Sequence, residues 1–129
     1  FKSVNDTLGH AAGDELLRGV AGRVRAAIRD TDMAARFGGD EFAVLLDPLT
    51  GPEQACEIAQ RVIDSIGRPF EIAGRAVVSR ASIGIAYSGG GLTAEGLVDN
   101  ADIAMYEAKK SQPGTWREFR PRMRLPRAC

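Results

Sequence analysis

Arg36-Phe37-Gly38-Gly39-Asp40-Glu41-Phe42-Ala43-Val44-Leu45-Leu46 reads as a tight β-hairpin whose first strand starts near Met33. Apolar residues flank the glycine pair on both sides: Met33-Ala34-Ala35 with Phe37 before it, Phe42 to Leu46 after it. A Gly-Gly pair between two such runs predicts a two-residue turn, because both turn positions can take a positive φ. Two acids, Asp40 and Glu41, come directly after the glycines. Carboxylates on a rigid turn, beside residues with no side chain to obstruct a ligand, suit an oxygen-coordinated divalent cation and its phosphates. An ordinary solvated hairpin tip has the same four residues, so the rest of the chain has to discriminate.

At 129 residues, with 44% hydrophobic and 26% charged residues, the chain is long enough for one domain with its own core. Seventeen basic and seventeen acidic residues cancel, which removes the global field that nucleic acid or an anionic membrane would require. Cys56 and Cys129 are far apart and form no metal spacing, so they read as reduced thiols in a reducing compartment. No apolar run is long enough to span a bilayer, and no signal peptide is visible. The chain opens on Phe1, without methionine and inside a patterned segment, and reads as a fragment.

Upstream of the hairpin, Phe1 to His10 is polar and turn-rich. Leu16, Leu17, Val20, Val24, Ala27 and Ile28 then recur at three- and four-residue steps and predict an amphipathic helix from Ala11. Asp14, Glu15, Arg18, Arg23 and Arg25 lie on its polar side. Asp14 and Glu15 are expected in its opening turn and Arg29 at its end, as the helix dipole favours. Downstream, Asp47-Pro48 and Gly51-Pro52 mark a loop. Ala55, Ile58, Ala59, Val62, Ile63 and Ile66 predict a second helix, closed by Gly67 and Pro69. Phe70 to Ile72 and Ala76 to Tyr87 read as strands around a Gly74 turn, with Val78, Ala81, Ile83 and Ile85 on one buried face. Leu97, Ala101, Ala104, Met105 and Ala108 predict a third helix, with Thr93 as N-cap and Lys109 and Lys110 at its end. Phe37, Phe42 and Tyr106 are expected in the core. The tail from Trp116 holds one short strand candidate. A strand ahead of Phe1 would complete a β-α-β-β-α-β core of the ferredoxin-like kind.

Five stretches then identify a family: Phe1-Lys2-Ser3-Val4-Asn5-Asp6 with Gly9-His10; Gly13-Asp14; Arg36 to Phe42; Ser82-Ile83-Gly84-Ile85-Ala86; and Ala101-Asp102-Ile103-Ala104-Met105-Tyr106-Glu107-Ala108-Lys109. In this order they resemble the GGDEF domain of diguanylate cyclases. The resemblance implies an α+β, nucleotidyl-cyclase-like fold: a mostly antiparallel sheet flanked by helices, whose first strand this chain does not include. It also implies condensation of two GTP into cyclic di-GMP with release of pyrophosphate, Mg²⁺ or Mn²⁺ as cofactor, a homodimer for catalysis, and a cytoplasmic location. Neither nucleic acid nor membrane contact is expected of this segment. Residues 1–115 would form the domain and 116–129 a tail or linker. Trp116 to Met123 resembles the exit toward a following EAL phosphodiesterase domain.

Carried over residue by residue, the resemblance makes Asp40 a metal ligand and a helper in deprotonating the attacking hydroxyl, with Glu41 supporting the metal. Gly38 and Gly39 let the backbone approach the nucleotide. Asn5 and Asp14 match the positions that read guanine, Lys2 and Lys109 those that hold phosphates, and Phe1 offers its backbone N–H. Arg29 and Asp32 match the product-inhibition motif, with Arg61 as a third member. Each has a plainer reading: turn former for Asn5, dipole partner for Asp14 and Lys109, helix-terminal pair for Arg29 and Asp32. His10 receives no role. Two departures count against activity. The family's first metal carboxylate lies on the strand before Phe1, so the isolated chain is expected not to turn over GTP. Pro113 stands where the family usually has a basic residue. The alternative is a catalytically inactive module that binds GTP or cyclic di-GMP and regulates an attached EAL domain.

Overall fold

The structure is a computed structural model that describes residues 9–124, in two compact units dividing between Ser79 and Arg80.

The first unit holds α1 (His10–Ala27), the hairpin strands β1 (Met33–Gly38) and β2 (Glu41–Leu45), α2 (Pro52–Gly67), and the short strands β3 (Phe70–Ile72) and β4 (Arg75–Val77). Its core is the seam between the two helices. Leu16, Leu17, Val24 and Ala27 of α1 are buried together with Ala55, Ile58, Ala59, Val62, Ile63 and Ile66 of α2, the stripes their periodicity predicts. Phe70 and Ile72 are buried beneath α1. Strand and helix approach so closely at Gly19 that an added Cβ would come within 2.9 Å of the Phe70 ring.

Arg23 clamps this seam. Its guanidinium donates to the carbonyls of Ser65 at 2.7 Å, Arg68 at 2.5 Å and Pro69 at 2.7 Å. Carbonyls at a helix C-terminus lack intrahelical donors, and Arg23 supplies them from another helix. Its carbon centre also lies 3.5 Å from the centroid of the Phe70 ring.

The second unit contains β5 (Ile83–Ile85), α3 (Ala94–Ser111), β6 (Trp116–Glu118) and a 3₁₀ turn (Pro121–Arg124). β5 and β6 pair in parallel, Ile83 opposite Trp116 and Ile85 opposite Glu118, and α3 is the crossover that parallel pairing needs. Ala104 and Ala108 are fully buried, and α3 packs on both strands. At Gly84 the helix backbone rests on the strand. A Cβ there would collide with the Ala101 carbonyl oxygen and the Met105 amide nitrogen, and would lie 2.9 Å from Met105 Cα. Thr93 caps α3 as expected, its side chain accepting from the Gly96 amide at 3.0 Å. Lys109 and Lys110 occupy the last turn.

The α+β class stands, with the sheet present as three two-stranded ladders among the described residues: β1–β2 and β3–β4 antiparallel, β5–β6 parallel. Four expectations change. The strand drawn from Ala76 to Tyr87 breaks after Val77. In the register that pairs Phe70 with Val77, Val78 would face Pro69, which has no N–H to donate, and Val78 is 64% exposed. Phe37 and Tyr106 are 59% and 53% exposed and belong to no core. α1 begins at His10, one residue earlier than read, so its first turn contains no acid and Asp14 is not a first-turn dipole partner. Arg29 lies beyond the C-cap, and Arg25 is the base of the last turn.

Candidate functional site

The hairpin is built one residue off the expected turn. β1 and β2 pair from Met33–Leu45 to Arg36–Phe42, then shift register so that Gly38 faces Glu41. Phe37 is the extra residue, a β-bulge. The two-residue turn is therefore Gly39-Asp40 rather than Gly38-Gly39. Gly39 takes φ 53° and Gly38 φ 139°, while Asp40 has an ordinary negative φ, the pattern of a Gly-X turn. The Arg36 Nε donates to the Gly39 carbonyl at 2.9 Å and ties the tip to its own strand. Asp40 thus stands at the apex and Glu41 opens β2. Both are exposed, and neither forms an ion pair among the described residues.

An open groove of about 420 Å³ lies between α1 and this hairpin. Asp14 lines it from the helix, and Ala34, Ala35, Arg36 and Phe42 line it from the strands. The fold therefore brings Asp14 to the same groove as the residues that carry the turn. Arg18 and Arg25, which the sequence reading left on the polar face, line it as well. Their signal was present: positions 14, 18, 21 and 25 follow the four-, three- and four-residue steps of one helix face.

Beside the hairpin's exit, Asp32 organises a compact ion pair. Its carboxylate is fully buried and accepts from the Arg29 amide (2.8 Å), Arg29 Nε (2.9 Å), Arg29 Nη2 (2.6 Å) and the Asp47 amide (3.3 Å). The Arg29 fork holds the Asp32 carboxyl at about 2, well below its ordinary 3.8, against the opposing effect of burial. Asp32 in turn raises the Arg29 guanidinium. Arg61 Nε donates to the Ala27 carbonyl at 2.8 Å, at the end of α1. All three members of the expected inhibitory site thus lie around the C-terminus of α1, each with a protein partner.

Lys109 is exposed in the last turn of α3. Phe1, Lys2 and Asn5 lie outside the described residues. Among the described residues no three His, Cys, Asp or Glu side chains gather as a metal site, so Asp40 and Glu41 are the donor set on offer here. Two exposed carboxylates on a turn fit a hard divalent cation that shares its other positions with water and phosphate oxygens. No helix among the described residues is long and apolar enough to cross a membrane.

Comparison with known proteins bears on the family and the fold. The family model described as "Diguanylate cyclase, GGDEF domain" matches residues 1–114. Diguanylate cyclase TpbB of Pseudomonas aeruginosa is 45% identical over 119 residues, covering 91% of this chain and 27% of the relative. The bifunctional diguanylate cyclase/cyclic di-GMP phosphodiesterase MucR of the same organism is 47% identical over 110 residues, covering 84% of this chain and 16% of the relative. The chain thus spans about a quarter or less of these relatives' lengths. A solved structure comprising only the GGDEF domain of TpbB superposes with a TM-score of 0.90 at 43% identity, over 95% of this chain and 72% of that one.

Proposed function

Because the chain belongs to the GGDEF family of diguanylate cyclases, we propose that it condenses two GTP into cyclic di-GMP, releasing two pyrophosphates, in bacterial second-messenger signalling. The observation that carries this reading is the hairpin tip. Two carboxylates free of ion pairs stand on a turn held by Arg36, and Arg36 and Phe42 on either side of that turn line a groove together with Asp14.

Each 3′-hydroxyl attacks the α-phosphorus of the other GTP, so the barrier is charge on phosphate together with alignment. Asp40 and Glu41 would hold a Mg²⁺ or Mn²⁺, which when bound neutralises charge on phosphate oxygens. Asp40 accepts the hydroxyl proton. Asp14, with Asn5, accepts from the guanine N1–H and amino group, where adenine offers no matching donors. Gly38 and Gly39 leave room for phosphate against the backbone, and Lys2, Lys109 and the Phe1 amide bind the triphosphate. One domain holds one GTP, so two copies related by a two-fold axis assemble the reacting pair. Arg29, Asp32 and Arg61 form the site where cyclic di-GMP inhibits. Residues 1–115 make the catalytic domain, and residues 116–129 lead toward a following domain, with β6 pinned to β5 on the way. The work is cytoplasmic, where GTP is available.

A second reading, a module that binds GTP or cyclic di-GMP without turnover, draws on Pro113 and on a donor set of two carboxylates. Incubating the full-length protein with GTP and Mg²⁺ and resolving the nucleotides separates them. The cyclase yields cyclic di-GMP, and Asp40→Asn abolishes it. GTP binding with no product, unchanged by Asp40→Asn, refutes the cyclase and leaves the binding module.

A further inference from the structure

The groove between α1 and the hairpin carries an excess of positive charge. Arg18, Arg25 and Arg36 line it against the single carboxylate of Asp14, on a chain whose formal charges sum to zero. Arg36 is engaged with the turn. Arg18 and Arg25 make no hydrogen bond or ion pair among the described residues. Asp14 and Arg18 stand four apart on a helix, the spacing at which such residues commonly pair, yet no ion pair joins them. Between them and the strands the floor is apolar, with Leu17, Ala21 and Phe42 among its residues.

An acceptor and a donor fork one helical turn apart, beside apolar lining residues, match the two hydrogen-bonding edges of one purine. Guanine presents N–H donors at N1 and the 2-amino group, and an acceptor pair at O6 and N7. The Cβ atoms of residues four apart on a helix are about 5–6 Å apart, the scale of a purine ring system. We propose that Arg18 is a specificity residue that donates to the O6/N7 edge of the guanine whose other edge Asp14 reads. This rests on the GTP-binding reading above. Adenine places a donor where Arg18 needs the O6 acceptor, so the two residues exclude it from both edges.

The test is calorimetric binding to the full-length protein of guanosine diphosphate, which has no pyrophosphate to release, and two analogues. Inosine diphosphate lacks the 2-amino group that Asp14 reads, and 7-deazaguanosine diphosphate lacks the N7 acceptor assigned to Arg18. The wild-type protein is expected to bind the 7-deaza analogue at least about tenfold more weakly than guanosine diphosphate, the loss of one hydrogen bond to a charged donor. Arg18→Ala erases that difference while keeping the preference for guanosine over inosine, which also reports an intact fold. Arg18→Lys restores part of the difference. Equal wild-type binding of guanosine and 7-deazaguanosine diphosphates overturns the proposal and leaves the GTP-binding reading standing, as does a difference that survives Arg18→Ala. No guanosine diphosphate binding at all overturns both.

Discussion

Gly84→Ala tests how closely α3 sits on β5. The new Cβ would overlap two backbone atoms of the helix, the Ala101 carbonyl oxygen and the Met105 amide nitrogen, and approach Met105 Cα to 2.9 Å. Non-bonded carbon atoms settle about 3.5–4.0 Å apart, so the helix must withdraw by about 1 Å at this point. Overpacking a well-filled core costs roughly 1–3 kcal/mol where side chains can turn aside. Here the colliding atoms are main chain and cannot, and withdrawal also loosens the fully buried Ala104 and Ala108. The expected loss is therefore at the top of that range or slightly above, about 3–4 kcal/mol. With a urea dependence of about 1–3 kcal/mol per molar, the unfolding midpoint followed by far-ultraviolet circular dichroism should fall by more than about 1 M. Gly22→Ala is the matched control. Gly22 is mid-helix and exposed, with nothing within 4 Å of an added Cβ, and alanine there should stabilise by about 0.5–1 kcal/mol. A Gly84→Ala midpoint within about 0.3 M of wild type would refute the close seating of helix on strand.

Two further expectations concern the first unit. The Asp32 carboxyl is lowered on folding, so its contribution is complete above pH 4 and is lost as pH falls through about 2. The span from 3.8 to about 2 corresponds to about 2.4 kcal/mol, reduced to about 1–2 kcal/mol by solvent around the 26%-exposed Arg29 side chain. Acid titration of stability should show that loss in wild type and lose it in Asp32→Asn; identical acid limbs would contradict the pairing. Ala73 holds a left-handed φ of 52° at the β3–β4 turn, followed by Gly74 at 75°. Asparagine tolerates that conformation better than alanine, so Ala73→Asn should raise the denaturation midpoint by the equivalent of about 0.5 kcal/mol, and a lowered midpoint would count against the turn geometry.

The three helices were legible because their apolar stripes are regular and their stops are chemical: Pro52 at the start of α2, Thr93 before α3, Pro113 after it. The hairpin was legible as an element, and its apex was misplaced by one residue. A bulge at Phe37 depends on how two strands pair, which a one-dimensional pattern does not record. The break after Val77 required the register that sets Pro69 opposite Val78. Arg23 looked like one more cation on a polar face. Its partners are 42 to 46 positions away, and local spacing carries no trace of them. At the site, Asp40, Glu41 and Asp14 were found as residue types in a pattern, whereas the groove that joins Asp14 to the hairpin exists only in three dimensions.

Asp32 has a consequence for whatever approaches the end of α1 from solvent. One buried carboxylate serves as counter-ion to Arg29 and as acceptor for the Asp47 amide, where the chain leaves β2. An anion that recruits the Arg29 fork strips that carboxylate of its charge partner and leaves main-chain amides to hold it, so the hairpin's exit bears part of the binding free energy. Linkage runs equally in reverse. Whatever instead fixes the Asp47 amide holds Asp32 in place and keeps Arg29 engaged, so the two contacts are coupled through a single side chain.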